Sequence, residues 1–139
     1  MIANMSTESS DIKAISEKLS SHAWGTSTEL FEPSLLWSLF EEVRGHEIAL
    51  ALIHASIGHK DTKTLSSLRG DSTLWLDDPR CGQASKDFLL ALDVLRKELN
   101  ESLLLGLEST EAHYAIYPPG AAYARHRDRF RDDDARVLS

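Results

Sequence analysis

His126 and Asp128 stand two residues apart in the stretch "AYARHRD". On a strand, residues i and i+2 point to the same face, so an imidazole nitrogen and a carboxylate oxygen stand side by side. An N/O pair with no thiolate and no second His nearby suits a first-row metal such as Fe(II). The 2-His-1-carboxylate facial triad completes such a pair with one distant His and leaves positions open for other ligands. On spacing alone, a solvated edge strand is the commoner origin of an H-x-D. The neighbouring acids Asp132, Asp133 and Asp134 do not make a calcium loop. Counted from Asp128, the sixth and twelfth positions are Asp133 and Ser139, where an EF-hand needs Gly and Glu. They read as a solvated acidic turn.

These residues need elements to hold them. The chain has 139 residues, 42% apolar, which is enough for one domain with a core, residues 1–139, with a flexible tail at 1–9. Its net charge of −7 argues against nucleic acid, which needs clustered Lys and Arg, and against an anionic membrane surface. No stretch is apolar for long enough to read as a membrane span or a signal peptide. The single cysteine, Cys81, has no partner for an internal disulfide; it reads as an inert loop residue in a reducing cytoplasm.

Ile12, Ile15, Leu19 and Ala23 recur at helical spacing and predict a first helix capped by Ser9 or Ser10. Pro33 suits the first turn of a second helix, whose stripe is Leu35, Leu36, Leu39, Phe40 and Val43 and which Gly45 ends. "EIALALIHASIG" is ambiguous, with period two slightly favouring a strand. "STLWL" predicts a short strand. A third helix spans 85–100, with Ser85 as N-cap and Phe88, Leu92, Leu95 and Leu99 on one face, broadened by Leu89 and Val94. "AHYAIY" and "AYARHRD" read as strands joined by "PPGA", and "RVLS" begins another. Helices first and strands later predict an α+β fold.

Three stretches together carry a family resemblance. "YPPGAAYARHRDRFRDDDAR" resembles the iron-binding strand of the prolyl-hydroxylase-like Fe(II)/2-oxoglutarate dioxygenases, with an additional Pro119 in its turn. "LRGDSTLWL", with Arg69, Gly70, Asp71 and Trp75, resembles the segment that precedes the family's helix and metal strand. "FEPSLLWSLFEE" looks like its N-terminal support helix. The likeness runs from Phe31 to Ser139 and looks closest to bacterial relatives of the oxygen-sensing prolyl hydroxylases. An RGD by itself also suggests integrin adhesion, to which a cytoplasmic-looking chain with one cysteine lends little support.

The resemblance implies a fold in which N-terminal helices support the first strands of a double-stranded β-helix, or jelly roll, incomplete in this chain. It implies His126 and Asp128 as metal ligands, Tyr117 as the hydroxyl that binds the 2-oxoglutarate carboxylate, and Tyr123 as a second tyrosine close to the metal. Arg125 alternates to the other face and reads as structural. "GHKDTKTLSSLRGD" matches a mobile lid, and Asp71 is expected to pair with Arg136 at its base. The implied cofactors are Fe(II), 2-oxoglutarate as co-substrate and ascorbate as reductant. The partners are O2 and a protein or peptide whose prolyl side chain is hydroxylated, with release of succinate and CO2.

The family also needs a distal His, a co-substrate Arg or Lys, and later strands. No His follows His126. His113, His54 and His59 are poor substitutes because ligand geometry is tightly constrained. The expectation is a C-terminally truncated member; the alternative is a catalytically inactive interaction domain that keeps the support helices and lid.

Overall fold

Asp11 lies in the first turn of α1 (Ser9–His22), where a carboxylate complements the helix dipole. The structure, a computed structural model, describes residues 9–48, 53–54, 70–125 and 137–139. Ile12 and Ile15 are buried where α1 packs on α3 (Gln83–Leu103), and the buried Ser16 hydroxyl donates to the Ile12 carbonyl at 2.8 Å. Ala23 does not extend the apolar stripe. It adopts φ 62°, with its N–H on the Leu19 carbonyl at 2.9 Å, and so closes the helix.

α2 (Pro33–Ile48) begins as its proline predicts, with the Glu32 carbonyl accepting from the Leu35 and Leu36 N–H groups. Gly45 does not end it. The glycine keeps helical geometry, and the helix runs on to Ile48. Only part of the predicted stripe faces inward. Leu39 and Val43 pack on the core, whereas Leu36 and Phe40 are exposed and the Arg44 guanidinium lies 5.6 Å from the Phe40 ring.

α3 starts earlier and ends later than 85–100. Gly82 is its N-cap, in extended geometry and with no side chain to offer, so Ser85 lies inside the first turn. Phe88 and Leu89 pack on the core and Leu99 is buried, but Val94 is 39% exposed. Leu104, left-handed at φ 54°, closes the helix with its N–H on the Asn100 carbonyl. The Asn100 side chain then exchanges two 2.8 Å hydrogen bonds with the Leu107 backbone, and Arg96 adds a third to the Leu107 carbonyl. These contacts turn the chain back toward the sheet.

The sheet is antiparallel in the order β1 (Ile53–His54), β2 (Ser72–Trp75), β3 (His113–Ile116). Ser72 pairs with Ile116 and Trp75 with His113. Alternation sends Leu74 and Tyr114 toward the helices, where they form the core with Leu76 and Cys81. Trp75 and His113 take the other face, ring centroids 4.9 Å apart. Helices with a small antiparallel sheet make the described chain α+β. Ile48 belongs to α2 and not to the strand suggested by "EIALALIHASIG", of which 53–54 is the described strand portion. Residues 137–139 form no strand, having no paired neighbour among the described residues. Of "AYARHRD", Tyr123 makes an isolated bridge, and the part from His126 onward lies outside the described residues.

Candidate functional site

The "PPGA" segment is a tight turn, with the Ala121 N–H on the Pro118 carbonyl at 2.9 Å. Pro119 takes the position that favours a preset φ, and Gly120 follows at φ +83°, the arrangement of a type II turn. Tyr117 enters this turn from the end of β3 and is 42% exposed. Tyr123 leaves it half-buried. The returning chain meets the RGD segment: the Gly70 N–H donates to the Ala122 carbonyl at 3.2 Å. A Cβ at Gly70 would stand 3.0 Å from the Ala121 Cβ, so the close approach depends on glycine. Asp71 follows at 1% exposure. Two motifs some fifty residues apart in sequence thus share one place.

No family model matches the chain, and no curated protein matches it. Among solved structures, a prolyl-4-hydroxylase from Pseudomonas putida superposes with a TM-score of 0.75 at 34% sequence identity. This chain has a prolyl-4-hydroxylase-like fold. The match covers 85% of this chain and 61% of the Pseudomonas protein.

Within the prolyl-4-hydroxylase-like fold, His126, Asp128, Arg136 and His59 lie outside the described residues. Among the described residues, no three His, Cys, Asp or Glu side chains gather as a metal site. His113 is exposed and sits against Trp75. Arg125 is exposed. Cys81 is buried, with its thiol on the Trp75 carbonyl at 3.2 Å. Burial pushes the thiol pKa up, which favours the protonated form.

A polar cluster that sequence reasoning missed lies behind the turn. The Glu42 carboxylate, on α2, accepts from the N–H groups of Gly82 at 3.0 Å and Ala84 at 3.1 Å. It also accepts from the Ser85 N–H at 3.4 Å, the Ser85 hydroxyl, and the Tyr114 hydroxyl at 3.1 Å. The Ser85 and Tyr114 hydroxyls are themselves 2.9 Å apart. Glu42 therefore supplies, from another helix, the cap that Gly82 lacks. A Cβ at Gly82 would lie 2.7 Å from Glu42 Oε2, so glycine makes room for the carboxylate. Burial raises the Glu42 pKa, but the hydrogen bonds from Ser85, Gly82 and Tyr114 together outweigh it and hold the group below the usual carboxylate value. Burial, with Glu42 alongside, pushes Tyr114 up to about 12. The bare Gly82 before a helix was the available signal, but Ser85 offered a nearer and misleading cap.

Proposed function

We propose that this chain carries part of the active site of an Fe(II)- and 2-oxoglutarate-dependent dioxygenase that hydroxylates a prolyl side chain of a protein. The observation that supports it most is the convergence of the RGD and "YPPGAAY" segments in a chain 34% identical to a prolyl-4-hydroxylase. His126 and Asp128 would hold the metal, their nitrogen and oxygen donors suiting Fe(II). Bound iron supplies oxygen activation coupled to oxidative decarboxylation of 2-oxoglutarate to succinate and CO2, with ascorbate as reductant. The chain's own residues do the orienting. Tyr117 offers its hydroxyl to a 2-oxoglutarate carboxylate, and Tyr123 stands on the opposite arm of the turn. The Pro119–Gly120 turn fixes the two arms relative to each other. The buried Asp71 anchors the segment that would cover a bound peptide.

Anaerobic titration with Mn(II) or Fe(II) tests the reading. The parent chain binds one metal ion, and the His126→Ala/Asp128→Ala double variant loses that binding. Equal binding by both proteins refutes the site.

A further inference from the structure

We propose that Glu42 is a positioning residue for Tyr117, acting through Tyr114. For what Tyr117 binds, this rests on the function proposed above; for where Tyr117 stands, it does not. Tyr114 is 8% exposed and belongs to β3, and its hydroxyl is held by both Glu42 and Ser85. These hydrogen bonds join α2 and the first turn of α3 to β3, the strand that leads into Tyr117. Only Ala115 and Ile116 separate Tyr114 from Tyr117, and neither is a glycine that could absorb a shift.

Beyond Tyr117 the chain is pinned again, where Gly70 contacts Ala121 and Ala122. The turn bearing Tyr117 and Tyr123 thus hangs between the backbone contact at Gly70 and the end of β3. β3 is tied along its length to β2, where Ile116 pairs with Ser72, and the Glu42–Tyr114 contact sets how that pair of strands lies against the helices. Apolar packing alone tolerates small slides of a strand over helices; a directional hydrogen bond to a fixed carboxylate does not. The carboxylate is fixed because the N-terminal N–H groups of α3 hold it.

The sequence has three tyrosines, 114, 117 and 123, so 3-fluorotyrosine labelling gives three ¹⁹F signals, assigned by single Tyr→Phe variants. The deciding variant is Tyr114→Phe. It keeps the ring and the Glu42 cap on α3 but removes the tie to β3. In metal-free protein, the Tyr117 signal shifts or splits in Tyr114→Phe and in Glu42→Gln. It stays in place in Ile12→Val, which loosens α1 in the core and lowers Tm without touching the cluster. With Mn(II) present, Tyr114→Phe weakens 2-oxoglutarate binding by roughly tenfold, the scale on which small misplacements act. A Tyr117 signal unchanged in Tyr114→Phe overturns the proposal and leaves Glu42 a helix cap alone. Should Glu42→Gln fail to fold, Tyr114→Phe still decides. If Tyr117 moves but the parent binds no 2-oxoglutarate, the positioning stands and the proposed function fails.

Discussion

At the residue scale, Glu42 is a side chain on which several elements converge. It serves three backbone donors and two hydroxyls from two other elements. Replacing it with Ala leaves those buried donors without their acceptor. The expected loss is about 2–3 kcal/mol of folding stability, the sum of a lost cap and unsatisfied polar groups. Glu42→Gln also loses stability, because an amide nitrogen meets donors where an oxygen accepted. The pH dependence has a definite sign. Glu42's folded pKa lies below its unfolded value, so its contribution is present above the ordinary glutamate range and is lost as pH falls through the folded value. Urea melts at several pH values check this: the parent loses stability on the acid side, and Glu42→Gln loses less there. Gly82→Ala, which crowds Glu42 Oε2, destabilises through the same contact, so its effect and that of Glu42→Gln are less than additive.

At the scale of elements, the base of the RGD segment and the chain after the turn are already joined by Gly70 and Ala122. The Asp71 carboxylate beside them is buried, and a buried carboxylate is stable only when its oxygens are satisfied. The family resemblance places Arg136 as its charge partner, a residue outside those described. A charge-assisted pair there would brace the segment 58–71 against the chain that follows His126 and Asp128. The expected result of a double-mutant cycle between Asp71→Asn and Arg136→Gln is a coupling above about 1 kcal/mol, the ceiling for an exposed pair. Strict additivity means that the pair does not form and that Arg136 faces the acidic run instead.

At the scale of the whole molecule, the metal question returns to ligand count. The facial triad needs a second His, and no His follows His126 in these 139 residues. A polypeptide of this sequence is therefore expected to release succinate far more slowly than the Pseudomonas prolyl-4-hydroxylase assayed alongside it. Comparable rates would mean that another residue completes the site.

Much of the architecture was legible from local pattern. Helical spacing placed α1 and α3 to within a few residues, Pro33 marked the start of α2, and "STLWL" and "AHYAIY", read as strands, contain β2 and β3. "PPGA" specified its own turn, because proline presets one φ and glycine alone easily takes the next. Four misreadings share a cause. Gly45 as a helix end, Ser85 as a cap, Ala23 in the stripe and Leu36 with Phe40 in the core all came from local residue preference. Which face a helix buries, and who caps it, depends on its neighbours. By itself the sequence determined the three helices, the strands around 72–75 and 113–116, their order and the turn between the two tyrosines, since periodicity and backbone preference act over a few residues. Only the tertiary structure decided that Glu42 caps a helix forty residues away and that Gly70 meets Ala122, because both contacts need separately folded segments to arrive at one place.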